Sequence, residues 1–468
     1  MPVHCIRYRL ESPSPLLDYG LQFILNSLGF AAQATEGDDY HLYYGQHAPA
    51  QAPIFIQAQP NLSTILWPEL WQDQAELADG QIAFDVLQAI IALLTDQVNA
   101  DLPPQAYGRF DWINVEATFQ GRTGLSLIPV VNHYLQPIRQ AIRQQLGWSG
   151  LPLYPDGKRY AIGLSHDVDR LQRRGLIKAL LYMRYRGILP TWTTPEGLRG
   201  LMTAFLSNAS ADDDFQRFRQ VLSLEESFGF RSTFFFSALP FLSRYRGLVD
   251  ILYDIAHPNF ICLFAELQEQ GFSIGLHPSY HTHQALERFL EQKHRLERNL
   301  GQTVKGVRHH YWHIGPNELR TLAYHQAAGF AYDSSLGFEK TMALRRSVAL
   351  PYFPWNPAHQ APLTVMQMPV ILMDGYIFYE DRQQPVIDFG LAQYQVMVTL
   401  LRASQGLAVV DWHSDTAHAA TPNFERWGHG YATLLTLLAQ QSDAWVTDLE
   451  TLHDWFIQRH QQLTLAVR

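Results

Sequence analysis

Residues 161–170 read AIGLSHDVDR. An apolar run, strand-like in character, stops at Ser165 and is followed by His166, Asp167 and Asp169, with Val168 between the two carboxylates. Alternation along an extended chain points residues two apart to the same side, so Asp167 and Asp169 face one way and Val168 the other. Either aspartate alone reads as a turn or helix cap, where Asp is common. The company they keep decides between these readings.

Moving outward, the same pattern recurs. STFFFSA (232–238), FSIGLH (272–277), VKGVRHH (304–310), AYDSSL (331–336), TVMQMPV (364–370), LAVVDWH (407–413) and AWVTD (444–448) are strand-like runs separated by helical stretches. Strands alternating with helices predict parallel strands with crossover helices. Seven or eight such units predict an α/β fold of the distorted (β/α) barrel kind, with about seven parallel strands, over residues 156–468. Several runs end in polar groups: Asp167 and Asp169, then His277 and His281, then Arg308, His309, His310 and Tyr311, then Asp374, then His413. In such barrels the carboxyl ends of the strands share one rim and build the active site. Groups of this kind therefore converge.

Residues 1–155 read as a separate unit. IRYRLES, HLYYGQ and APIFIQA read as strands, and LLDYGLQFILNSLGF and AFDVLQAIIALLTDQV as helices with apolar residues at helical spacing. This predicts a smaller α/β N-terminal domain, of no assigned role, ending at the Gly- and Pro-rich GWSGLPLYPDGKRY.

The composition suits a core-forming protein of two or three domains: 468 residues, 47% hydrophobic and 17% charged. The net charge of −9 argues against a nucleic-acid partner, which needs a basic face. Two distant cysteines, Cys5 and Cys262, offer no disulfide framework, and no run reaches the roughly 18 apolar residues of a membrane span. The first twenty residues carry Glu11, Pro13 and Pro15 where a signal peptide needs an apolar stretch. A soluble, cytoplasmic protein is expected. The basic, apolar stretch 170–190 reads as a lid or surface helix, with peripheral contact to an anionic membrane as the lesser alternative.

In GLHPSYHTH (275–283), His277 and His281 are four apart, which on a helical turn puts both imidazoles on one side. With a carboxylate from a neighbouring strand end they make a His-His-Asp set, the ligand number of a catalytic zinc site. One of Asp167 and Asp169 can bind the metal while the other takes a proton from water that the metal has acidified.

SHDVD, HPSYH, RHHY and VVDWH, in this order, resemble the motif series of the polysaccharide deacetylases (carbohydrate esterase family four, with the nodulation-type chitooligosaccharide deacetylases). The resemblance covers roughly residues 158–460. FDVLQAIIALL and YGRF in the N-terminal part resemble the extra domain of a divergent branch of that family. The resemblance implies Asp167 as base, with Asp169, His277 and His281 as metal ligands. It further implies Arg308 to orient the base, Tyr311 to lend its backbone N–H to an oxyanion, and His413 as general acid. Asp374 is the carboxylate expected to pair with His413, with Asp411 and Asp415 as alternatives. The implied cofactor is a divalent metal, Zn²⁺ first, with Co²⁺ or Ni²⁺ as alternatives. The implied partner is an N-acetylated glycan, free or lipid-linked. Val168 between the aspartates, the missing proline before Tyr311 and Trp412 in the last motif depart from the usual pattern, and they bear on substrate shape. Tyr280, Trp312, Trp355 and Trp412 are candidates to stack on sugar faces.

Three other readings use the same residues. An amidohydrolase of this fold acting on a ureide or small amide keeps every reactive group. A non-catalytic glycan-binding relative predicts loss of Asp167 or His413, and both are present. A non-haem iron oxygenase also uses two His and one carboxylate, but on a β-sandwich and with His first. The sequence does not specify the oligomeric state.

Overall fold

The computed structural model describes residues 3–59, 80–108, 111–171, 211–240, 243–247, 249–379, 386–421 and 424–467. Beyond Leu171, the basic stretch 170–190 lies outside them.

The first sheet has five strands, β1 (Cys5–Leu10), β2 (Ala31–Ala34), β3 (Leu42–Gly45), β4 (Ile54–Gln57) and β5 (Gln81–Ile82), in the order β2-β1-β3-β4-β5. Every pairing is parallel. Strand β1 alternates burial residue by residue, as its sequence CIRYRL requires. The helices Pro15–Leu28, Val86–Leu94 and Val130–Leu146 cover it, and Ile6, Tyr8, Leu21, Ile24, Ile90 and Ile138 lie in its core. Val348, Leu350, Tyr352 and Trp355, far along the chain, belong to the same core.

The second sheet begins at β6 (Tyr160–Val168), all nine residues of which are buried, and continues through β7 (Thr233–Phe236), β8 (Ser273–Leu276), β9 (Gly306–Val307) and β10 (Tyr332–Asp333). After the small antiparallel pair β11 (Trp355–Asn356) and β12 (Ala361–Pro362) come β13 (Met366–Gln367), β14 (Val370–Met373), β15 (Leu407–Asp411) and β16 (Ala444–Thr447). The order β13-β10-β9-β8-β7-β6-β15-β14 is parallel throughout. Burial on both faces explains why these strands read as continuous apolar runs. The two end strands are consecutive in sequence: β13 pairs with β10 and β14 with β15. One segment, 366–373, therefore joins both edges and closes the distorted (β/α) barrel at seven strand positions. Strand β16 is an addition, pairing with Tyr160–Gly163 of β6 while β7 takes Ser165–Val168.

Glycine makes room inside. A Cβ at Gly275 of β8 would stand 2.4 Å from the Phe235 ring, and one at Gly306 of β9 would stand 2.4 Å from that of Tyr332. These strands can pass large aromatic rings only without side chains of their own.

Candidate metal and hydrolytic site

Strand β6 alternates as its sequence predicts. Val168 is fully buried among Phe215, Phe218, Phe234 and Phe236. His166 points outward too, with Nδ1 2.8 Å from the Trp412 carbonyl and Nε2 2.5 Å from Glu225 Oε1. Ser165, Asp167 and Asp169 face the other way. Asp167 Oδ2 lies 3.7 Å, and Asp169 Oδ1 3.3 Å, from His277 Nε2.

The strand end after β9 supplies two more groups. Arg308, fully buried, donates from Nη1 to Ser165 Oγ at 2.8 Å and stands 3.4 Å from Asp167 Oδ1 and 3.0 Å from Asp411 Oδ1. Its other nitrogens donate to the backbone carbonyl and hydroxyl of Ser334, and Phe235 stacks 4.6 Å from the guanidinium carbon. Asp411 Oδ2 accepts from Trp312 Nε1 at 3.0 Å. Two carboxylates thus share one buried arginine. Burial first, and then the Asp411 charge, push the Asp167 pKa well above the usual carboxylate range, against the opposing pull of Arg308.

His310 completes a cluster. One ligand atom each from Asp169, His277 and His310 lies within 4.8 Å of the others. His277 Nδ1 stands 2.6 Å from the Arg308 carbonyl and His310 Nε2 2.9 Å from the Val249 carbonyl. A carbonyl only accepts, so both of those nitrogens carry the hydrogen. In the neutral rings, His277 Nε2 and His310 Nδ1 then present lone pairs to each other at 3.2 Å, with Asp169 Oδ1 3.3 and 3.5 Å away. That oxygen is buried and has no hydrogen-bond donor. Three converging lone pairs call for a cation, and rings fixed by carbonyls on their far nitrogens are how ligating histidines are commonly held. The donor set fits a divalent metal of the zinc, cobalt or nickel type. Burial raises the Asp169 pKa, but His310 when it carries a proton, with His277 and His413, outweighs burial and holds the group well below the usual range.

His281, expected as the third ligand, belongs to no such cluster among the described residues. The four-residue spacing assumed a helical turn, but no helix follows β8 directly; a single 3₁₀ turn begins only at Thr282. His281 is left half-buried near Gly247 and Arg288. The signal for His310 was present in VKGVRHH. Arg308 and His310 face inward, while Val307 and His309 face outward, His309 meeting His325 at 2.8 Å.

His413, beyond β15, meets Asp374 twice: Nδ1 stands 2.8 Å from Oδ1 and its backbone N–H donates to Oδ2 at 3.1 Å. Thr416 Oγ1 donates to the same Oδ2 at 2.6 Å. Of the three carboxylates considered for this histidine, Asp374 is the partner. Asp411 faces Arg308 and Trp312, and Asp415 lies 3.4 Å from Arg170. Burial disfavours the imidazolium, yet Asp374 and then Asp169 outweigh it and raise the His413 pKa well above its usual value. His413 Nε2 lies 3.7 Å from Asp169 Oδ2. The side chains of His413 and Asp169 keep 26% and 19% exposure, against 4% or less for Asp167, Arg308, Asp374 and Asp411. Solvent, and any substrate, meets the first pair.

Tyr311 and Trp312 both have left-handed backbones, φ 58° and 49°. For non-glycine residues this costs roughly 1–3 kcal/mol each and persists only where surroundings enforce it. Trp112, from the N-terminal part, donates from Nε1 to the Tyr311 carbonyl at 2.7 Å, and Asp111 Oδ2 stands 2.9 Å from His313 Nε2. Trp412 is fully buried against Tyr431 and Phe378 and offers no face to a sugar. Tyr280 stacks on His313 with ring centres 3.8 Å apart.

No protein-family model and no curated protein sequence matches the chain. Among solved structures, it is similar to one named a probable polysaccharide deacetylase from Pseudomonas aeruginosa (14% identity, TM-score 0.43, 66% of this chain and 96% of that one). It is also similar to the allantoinase Puue (13%, TM-score 0.42, 66% and 93%) and a CE4-family pseudoenzyme from Bacillus anthracis (10%, TM-score 0.31, 64% and 67%). At this level of similarity the chemistry has to be read from the site's own residues.

Proposed function

We propose that the chain is a divalent-metal-dependent hydrolase that removes the acetyl group from an N-acetylated sugar of a glycan. The observation that carries this reading is the convergence of His277 Nε2, His310 Nδ1 and Asp169 Oδ1 beside Asp167 and the Asp374-paired His413. Asp169, His277 and His310 would hold a divalent cation, which would supply Lewis acidity towards an amide carbonyl and a water molecule.

The chain's own residues divide the remaining work. Asp167, its carboxyl pushed up by burial and by the Asp411 charge, takes the proton from the attacking water. Arg308 holds that carboxylate in place, and Asp411 and Ser334 hold Arg308. Tyr311, next to His310 in the strained turn, offers its backbone N–H to the carbonyl oxygen as negative charge develops. His413, kept protonated by Asp374, gives its Nε2 proton to the leaving nitrogen as the C–N bond breaks. Water is consumed, and acetate and an amino sugar leave.

The test is acetate release from N-acetylglucosamine oligomers by protein loaded with Zn²⁺, Co²⁺ or Ni²⁺. Asp167→Asn and His413→Ala are expected to lower the rate about 10²–10⁴-fold, the usual worth of a general base or acid, while metal content stays unchanged. Metal-loaded protein that releases no acetate, or variants as fast as the parent, would overturn the reading.

A further inference from the structure

A cavity of about 690 Å³ lies where the N-terminal part meets the barrel. Tyr107, Trp112, Trp312 and Trp355 line it. Tyr107 is 40% exposed, unusual for so large a ring. Glu318 joins Arg345 at 2.9 Å and also Arg346, whose second carboxylate partner is Asp96, so the floor is a fixed ionic network. Asp111 and Glu339 add further carboxylates to the lining, making four against two guanidinium groups.

We infer that this cavity binds a sugar unit, neutral or carrying an amino group, of the glycan on which the site acts. The identity of the ligand rests on the proposed function. Its chemistry rests on the lining. A pyranose presents apolar C–H faces to flat aromatic rings and hydroxyls at its rim to carboxylates and guanidinium groups, and a cavity of this size admits two or three such rings. The excess of carboxylates disfavours uronic acids and favours an amine.

The cavity is coupled to the site by two indoles. Trp312 lines it while its Nε1–H holds Asp411, the carboxylate beside Arg308. Trp112 lines it while its Nε1–H holds the Tyr311 carbonyl. The N-terminal part thereby contributes to glycan recognition.

The test is calorimetric titration of the full chain, in an Asp167→Asn background to prevent turnover, with N-acetylglucosamine tetramer, glucosamine tetramer and a tetra-uronate. Binding of the first two, weakened tenfold or more by Tyr107→Ala with metal content unchanged, is the expected result. Glu339→Gln is expected to weaken the glucosamine tetramer selectively. Affinities unmoved by Tyr107→Ala, no binding of either amino-sugar tetramer, or tighter binding of the uronate would overturn the inference. Binding that depends on Tyr107 in a chain whose parent form releases no acetate would refute the catalytic reading and leave the cavity standing.

Discussion

Asp167 and Asp169 differ by what faces them. Asp169 meets three imidazoles and is held ionised; Asp167 meets a second carboxylate across one arginine and is driven towards protonation. Asp411 is thus the residue that tunes the base, though it touches neither the cluster nor, through any contact seen, a substrate. Asp411→Asn keeps the shape, removes one of the two charges sharing Arg308, and strengthens the hold of Arg308 on Asp167. The acidic limb of the rate–pH profile is expected to move to lower pH, because the folded-state pKa of Asp167 falls when a neighbouring negative charge is removed. A limb that stays in place or moves up would show that Asp411 does not act on Asp167. Alternation made Asp167 and Asp169 legible in AIGLSHDVDR, and the same rule applied to VKGVRHH gives His310. The spacing of His277 and His281 presumes a helix, and the backbone directly after β8 is none.

At the scale of elements, the outward face of β6 is tied down by polar contacts. His166 meets Glu225 at 2.5 Å, and Tyr431 donates to the same oxygen at 2.5 Å, all three side chains buried. Glu225→Ala leaves two buried polar partners unsatisfied and is expected to cost about 3 kcal/mol or more in denaturant unfolding. A change below 1 kcal/mol would mean that the network contributes little. The turn after β9 is tied to the helix Glu318–Ala327 by His309 and His325. Burial depresses the His325 pKa to about 3. The unfolded chain then binds a proton that the folded one refuses, so stability is full above about 6.5 and is lost progressively as pH falls from there towards 3. His325→Phe is expected to flatten that acid limb, and a parent protein equally stable at pH 4.5 and 7.5 would contradict it. Strand existence and order were readable from apolar runs. This pairing was not, because no local pattern announces which helix a strand-end histidine will meet.

At the scale of the molecule, the barrel was legible and its closure was not. TVMQMPV reads as one strand, yet its two ends pair with different neighbours, a fact of three-dimensional geometry that no periodicity encodes. The N-terminal unit was legible as a sheet with helices, while its contacts were not. Arg459, in the helix Leu449–Leu465, donates to the carbonyls of Asn26 at 2.6 Å and Pro152 at 3.0 Å, binding the last helix to the end of the first. Its guanidinium is buried enough to bring the pKa down to about 10. Arg459→Met keeps much of the packing and removes the bonds, and is expected to lower unfolding free energy by about 1.5–3 kcal/mol; an unchanged denaturation midpoint would show the contact to be idle. Among the described residues no helix is long and apolar enough to cross a membrane. What most directly tests the site is metal content. Zinc bound per chain, measured after equilibrium dialysis on the parent, His310→Ala and His281→Ala, should be close to one in the parent and His281→Ala and near zero in His310→Ala. Retention by His310→Ala with loss from His281→Ala would contradict the ligand set of Asp169, His277 and His310.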